Sequence, residues 1–418
     1  MKVAGIIAEY NPFHMGHKYH IEETKKQTGV DYIVVCMSGD FVQRGEPAFM
    51  DKYIRTQMAL EAGADAVIEL PVQYALASAE SFALGGVSLL DSLGCIDYLS
   101  FGCETPDEKT LSLAADILLA EPEDYKKKLT EELKKGSSFP KAREIALADY
   151  IARSIGQESL DKIEKLLSNP NNILAIEYLK ALKTKKSKIQ ACLIQRKGMD
   201  YLESSLEPED AKYPSAMYLR KTIQADISKE EFMKLGLTTD KEKLWAELNK
   251  SYPVEADDFT LALKYRLMQA KNKEENLTKY LDVSEEIQNR IYNLANELTK
   301  VDAFAAAIKT KQYTLTRLKR CLMHILLEIE ADQTEAKYVR LLGFRKEASQ
   351  LIKAMQEEGR YPVVQRPAKA KEILEEEQLM LFKQDVFASE LYESTKALKF
   401  KQAQGEAFSE YRQSPVIL

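Results

Sequence analysis

Apolar residues follow two rhythms along this chain. Over roughly the first hundred positions, short unbroken apolar runs alternate with stretches in which apolar side chains recur every three or four residues. The runs at 3–8, 32–37, 66–70 and 98–101 predict buried strands, and 17–27 and 51–62 predict helices. Strands apolar on both faces and separated by helices imply βαβ units and a parallel sheet covered on both sides. From about 107 to 187 the spacing is helical throughout, then 189–195 returns as a strand, so the helical stretch is an excursion from the sheet domain. After Arg220 helical spacing takes over, at 244–267, 285–300, 315–329 and 372–387. The expected class is α/β: a parallel-sheet domain over 1–225 with a helical excursion at about 107–187, followed by an all-α domain over 226–418. In open sheets of this kind ligands bind beyond the carboxyl ends of the strands, which singles out the loops after Ala8, Met37, Leu70 and Phe101.

Composition narrows the setting. With 418 residues, two or more domains are expected. Five cysteines, none in a CxxC pair, argue against a zinc ribbon and a disulfide framework and for a reducing cytoplasm. The run at 3–8 is too short for a signal peptide, and no apolar run approaches the roughly 18 residues of a membrane span. At a net charge of −6, nucleic-acid binding would need local basic clusters. Two exist, Lys183, Lys185, Lys186 and Lys188, then Lys309, Lys311, Arg317, Lys319 and Arg320, and either would equally serve as a solvated helix face.

The chemistry concentrates in the loop after the first strand. Three of four histidines, His14, His17 and His20, stand where a strand has ended and a helix is about to begin. A helix N-terminus offers unpaired N–H groups and partial positive charge, which attract phosphate. His14 and His17, three apart, share one side of the first turn and can stabilise charge that grows on an α-phosphate and a pyrophosphate leaving group. Gly16 admits a ligand close to the backbone. Three histidines could also ligate a metal, but sites of that kind usually bring a carboxylate or cysteine from elsewhere, and the helical angle carries His20 partly off the face, so no metal site is expected.

The stretch Glu9-Tyr-Asn-Pro-Phe-His-x-Gly-His17, followed by Ser38-Gly-Asp-Phe-x-Gln-Arg-Gly-Glu-Pro47, resembles the bacterial tRNA(Met) cytidine acetate ligases of the HxGH nucleotidyltransferase superfamily. Ser100-Phe-Gly-Cys-Glu104, Asn169-Pro-Asn-Asn-Ile-Leu-Ala-x-Glu-Tyr178, Arg196-x-Gly198 and Ser215-Ala-x-x-x-Arg220 resemble later motifs in the same order, and Leu315-Thr-Arg-Leu-Lys-Arg320 and Tyr338-Val-Arg-Leu-Leu-Gly-Phe344 extend the likeness more loosely. The resemblance implies a Rossmann-like nucleotidyltransferase domain and a two-step ligation: acetate and ATP give acetyl-adenylate and pyrophosphate, then the acetyl group passes to the exocyclic amine of the wobble cytidine of elongator tRNA(Met). It implies an ATP loop of Ile7, Ala8, Glu9, Tyr10, Asn11, Pro12, Phe13, His14, Met15, Gly16, His17, Lys18, Tyr19 and His20, with Gly102, Asn171 and Arg196 as further nucleotide contacts. The family pattern after the arginine runs through Gly and Tyr to a histidine; here Tyr201 is followed by Leu202.

Each of these positions also has a physical reading. Gly102 permits close approach at a strand's end, and Arg196 can fork onto phosphate oxygens. Asn171 can cap the helix expected near Ile173 or bond ribose or base. Ser215, as a helix cap, and Arg220 suit the β- and γ-phosphates. In the second loop Arg44 or Gln43 could hold the acetate carboxylate beside Phe41, and Asp40 could orient the cytidine amine; Asp40 and Arg44 could instead simply pair. ATP is expected as substrate with Mg²⁺ carried on it, no other cofactor, and neither DNA nor membrane as partner. A small-molecule adenylyltransferase without tRNA, and a non-catalytic tRNA-binding scaffold, are the competing readings; some 200 further helical residues speak against the first, and the intact His14, Gly16, His17, Ser215 and Arg220 against the second.

Overall fold

The computed structural model describes residues 1–155, 160–197, 213–225, 227–237, 240–402 and 408–418. Gly198, Tyr201 and Leu202, singled out above, lie outside them.

Five strands, β1 (Val3–Ala8), β2 (Tyr32–Ser38), β5 (Ala66–Leu70), β6 (Tyr98–Cys103) and β7 (Gln190–Gln195), pair in parallel in the order β5-β2-β1-β6-β7. Between β2 and β5 a two-stranded antiparallel hairpin forms from β3 (Phe41–Val42) and β4 (Glu46–Pro47). In β2, Ile33, Val34, Val35, Cys36 and Met37 are all fully buried, which is why the run reads as continuously apolar rather than alternating. Its even and odd positions feed two apolar cores, one on each face of the sheet. The chain moves from β1 to β2 and β5 on one side, then returns to β6 and β7 on the other. The fork therefore lies between β1 and β6, and the crevice beyond their carboxyl ends is where a ligand fits.

The Glu108–Ala120 to Pro170–Thr184 helices form the excursion expected before β7. The C-terminal part departs from the all-α expectation. β8 (Val339–Phe344) joins β5 antiparallel, and β9 (Val363–Val364) and β10 (Val416–Ile417) pair with β8 in parallel, so residues beyond 226 complete the main sheet. The physical reason is Arg340, a charge inside an otherwise apolar run. It is buried, with Nη1 donating to the carbonyls of Leu341 and Gln365 and Nη2 3.5 Å from the Glu410 carboxylate. The stretch 244–267 likewise forms two helices, Lys241–Glu247 and Thr260–Asn272, because Pro253 lacks an N–H and drives Tyr252 out of helical conformation. Several C-terminal helices close a further core through Leu263, Leu318 and Tyr392, which also takes in Phe41 of the hairpin.

Beneath the second loop lies a buried charge network. Lys52 Nζ bonds Glu69 Oε1 at 2.9 Å, Ser389 Oγ at 2.7 Å and Glu410 Oε1 at 3.1 Å. Burial pushes the Glu69 carboxyl up to about 7 despite Lys52. This network spans β5, the Lys52–Glu61 helix, the Glu376–Lys399 helix and the C-terminal segment, and so locks the C-terminal part onto the sheet.

Candidate functional site

The loop leaving β1 turns sharply at Tyr10, whose φ of 49° is a left-handed conformation costing roughly 1–3 kcal/mol in a non-glycine residue. Surrounding groups hold it. Glu9 O and the carbonyls of Ser38, Gly39 and Met50 all accept from the guanidinium of fully buried Arg55, and Asn11 Oδ1 accepts Phe49 N–H at 2.7 Å. Arg55 is thus the hub joining the first and second loops, and sequence reading gave it no role.

His14 is the N-cap of the Met15–Thr28 helix. Its Nδ1 accepts Gly16 N–H at 3.1 Å, and His17 Nδ1 accepts His14 N–H at 3.2 Å, a capping box in which imidazoles replace the usual hydroxyl and carboxylate. The rings stack at 3.8 Å between centroids. Tyr10 and Phe13 wall in His17 at 4.7 and 5.4 Å. A Cβ on Gly16 would meet the His14 ring at 2.9 Å, so this glycine gives the imidazole its seat.

Since both Nδ1 atoms are occupied as acceptors, the ring proton of each neutral imidazole sits on Nε2, leaving two Nε2–H donors. Neutrality is enforced. Burial, then Arg196 and Arg220, lower His14 to about 3; burial, then His14 and Arg196, hold His17 well below its usual value. His20 instead turns into the sheet, Nε2 to Ser100 Oγ at 2.9 Å, and burial with Arg196 lowers it to about 4.

Six further predicted residues gather around this loop. Arg196, at the end of β7, stands beside Gly102 and donates to Asn171 Oδ1 at 3.3 Å. Asn171 Nδ2 also donates to Glu104, whose carboxylate accepts Asn172 N–H at 3.0 Å. The capping role considered for Asn171 is therefore corrected: the helix is Pro170–Thr184 with Asn169 at its cap, and Asn171 lies inside the first turn, where it orients Arg196. Ser215 caps the Ala216–Gln224 helix by accepting Tyr218 N–H at 3.1 Å, and Arg220 Nη1 donates to Asn11 O at 2.6 Å. Arg44 completes the set from the hairpin, close enough to Glu9, Arg220 and Glu46 to feel their charges. Tyr19 closes the β7 side, its hydroxyl 3.5 Å from Gln195 O. Ile7 and Phe13 are core side chains, Met15 N–H bonds Gly236 O at 2.8 Å, and Lys18 pairs with Glu22 along the helix surface.

Asp40 goes elsewhere. It is 4% exposed, and its Oδ1 accepts Lys52 N–H at 2.8 Å, so it neither pairs with Arg44 nor joins the histidines. The second basic cluster also changes meaning. Lys319, 12% exposed, bonds Glu46 at 2.7 Å and Asp302 at 2.8 Å, and Arg320 reaches Asp282 at 3.2 Å. Gly45, at a φ of 74°, packs so tightly on their backbone that a Cβ would come within 2.4 Å of Arg320 N. Lys319 and Arg320 fasten the hairpin; Lys309 and Lys311 remain exposed.

Arg196 and Arg220, whose charges reach His14, and Arg44, whose charge reaches Arg220, gather near the two Nε2–H donors and two helix N-termini, an arrangement that can bind a polyphosphate and stabilise charge that grows on it.

The model of the HIGH Nucleotidyl Transferase family matches residues 1–407. Among curated proteins, the chain is 42% identical over 396 residues to a tRNA(Met) cytidine acetate ligase of Caldanaerobacter subterraneus subsp. tengcongensis, covering 94% of this chain and 95% of that one. It is 36% identical over 425 residues to the protein of the same name from Clostridium perfringens, covering 100% of both. A crystal structure of Thermotoga maritima TmcAL bound with alpha-thio ATP superposes with a TM-score of 0.88 at 30% identity, covering 100% of each chain.

Proposed function

The chain belongs to the HIGH nucleotidyltransferase family and, within it, to the tRNA(Met) cytidine acetate ligases, and from that premise we propose how its residues perform an ATP-dependent acetylation of the wobble cytidine in elongator tRNA(Met). An acetate oxygen attacks the α-phosphorus of ATP, the bond to the β-phosphate oxygen breaks, and pyrophosphate leaves. The cytidine amine then attacks the acetyl carbonyl carbon, AMP departs, and the amine gives up one proton.

The observation that carries this reading is the stacked, neutral His14–His17 pair, whose Nδ1 atoms are taken by the capping bonds so that both Nε2–H groups are left as donors. Those donors meet the α-phosphate and the leaving oxygen, where negative charge develops. Arg220 and the Ser215-capped helix take the β- and γ-phosphates, Arg196 faces the α-phosphate side, and Arg44 holds acetate. Asp40 has no part in it, because its carboxylate is engaged under the loop. Mg²⁺ is taken to arrive on the triphosphate, whose oxygens are the hard ligands it prefers. No helix of the described chain is long and apolar enough to cross a membrane. All five cysteines are free and buried, and a reducing cytoplasm is the proposed setting.

Radiolabelled acetate incubated with ATP and total bacterial tRNA tests the reading: label should appear in tRNA, and label found only in an adenylate, or nowhere, would sink it. A pH profile tests the histidine states. Because both pKa values lie far below 6.5, the ratio of wild-type to His17→Ala kcat/KM for ATP should stay level between about pH 5.5 and 8. A limb near 6.5 that vanishes in the variant would mean that the reactive form is an imidazolium.

A further inference from the structure

The amine that attacks the acetyl group must give up a proton, and the histidine pair cannot take it. Each of those rings keeps its proton on Nε2 and has Nδ1 tied to a backbone N–H. His20 turns the other way, onto Ser100 of β6. A carboxylate is the group to look for.

Glu9 and Glu46 are the carboxylates whose charges reach both Arg44 and Arg220. Glu46 is engaged by Lys319 at 2.7 Å. Asp40 and Glu69 are buried beneath the second loop, one on Lys52 N–H and the other on Lys52 Nζ, and Glu104 accepts from Asn171 and Asn172. Glu9 stands at the first position past β1, beside the fork of the sheet, and is partly exposed. It is fixed at both ends, its carbonyl accepting from Arg55 Nη1 at 2.7 Å and its Oε1 accepting Gln43 N–H at 2.8 Å. Gln43 is the neighbour of Arg44, so this carboxylate lies one residue along the hairpin from the guanidinium proposed for acetate. Oε2 differs from Oε1: among the described residues none bonds or pairs with it, and it is not sealed from solvent.

We infer that Glu9 is the general base of acetyl transfer, its Oε2 accepting from the exocyclic amine of the acceptor cytidine. The inference rests on the proposed RNA acetylation. As the amine nitrogen attacks the acetyl carbon, the bond from that carbon to the adenylate oxygen breaks and one N–H proton passes to Oε2; AMP leaves, and Glu9 returns the proton to solvent. An ionised carboxylate accepts and does not donate, so it suits the amine of cytosine and repels the carbonyl of uracil. With acetate on Arg44 the acetyl group forms beside the hairpin, on the side of the loop where Glu9 lies. Arg44 and Arg220 offset the charge of Glu9 while acetate, itself an anion, binds.

The test separates the two chemical steps. Enzyme loaded with ATP, labelled acetate and pyrophosphatase is mixed with tRNA in a single turnover, and acetate-dependent pyrophosphate exchange is measured beside it. Glu9→Gln keeps an oxygen for Gln43 N–H and loses the base, so acetyl transfer should fall by at least about 100-fold and by far more than exchange does. Glu9→Asp, which restores a carboxylate on a shorter stem, should regain part of the transfer. Transfer at the wild-type rate in Glu9→Gln, which would leave the AMP phosphate as the base, overturns the inference. So do equal losses in both steps, the result of displacing the hairpin alone. In either case labelled tRNA from the wild type removes Glu9 only, whereas a wild type that forms the adenylate and never labels tRNA removes the acetylation reading as well.

Discussion

His17→Asn should fold like the wild type and lose at least about 100-fold in acetate-dependent pyrophosphate exchange, the loss typical of removing one donor to transition-state charge. The two atoms of the imidazole serve different ends. Nδ1 accepts His14 N–H and so closes the capping box, while Nε2–H is the donor proposed for the phosphates. Asparagine places an oxygen where Nδ1 was and nothing where Nε2 was. His17→Ala removes both, and should add to the same kinetic loss about 1 kcal/mol of stability, the net worth of one hydrogen bond. Urea denaturation of the two variants, run alongside exchange assays, separates the roles. Exchange near wild-type level in His17→Asn would show that the ring matters only as a cap.

How much of this could be seen in the chain beforehand varies with the range of the interactions. Val3–Ala8 and Ala66–Leu70 are strands at the predicted limits, because both faces of each are buried. The histidine loop was legible for the same local reason: a strand end, a helix start and three imidazoles between them. Long-range partners were not. β8 was missed because a buried arginine interrupts its apolar run, and the groups that neutralise Arg340 lie up to seventy residues away, at Gln365 and Glu410. Lys319 and Arg320 look like surface charge until the fold brings Glu46, Asp302 and Asp282 against them. Asp40 and Arg44, only four residues apart, part company because the hairpin turn at Gly45 sends one side chain toward Lys52 and the other toward Glu9 and Arg220. Local periodicity carries no information about any of these pairings, since each depends on which elements the sheet order makes neighbours.

Arg44→Ala should raise the Michaelis constant for acetate by roughly 10- to 100-fold while that for ATP changes far less. Acetate has one methyl group to bury, so its affinity must come from charge-assisted hydrogen bonds, each worth about 1.5–3 kcal/mol. Arg44 is the donor proposed on the hairpin. It lies half-buried beside Glu9, Arg220 and Glu46, whereas Asp40 is turned away beneath the loop. Its backbone is fixed from both sides: Gln43 N–H donates to Glu9 at 2.8 Å, and the Lys319–Glu46 pair pins the strand that follows. A guanidinium held this way is pre-oriented, so little freedom is lost when acetate binds. Arg44→Lys should recover only part of the affinity, because one ammonium cannot match a two-pronged contact. Steady-state exchange kinetics at varied acetate and saturating ATP would decide. An unchanged acetate constant together with impaired acetyl transfer to tRNA would move Arg44 to the acceptor side and leave the carboxylate to Gln43 or the backbone amides after Ser38.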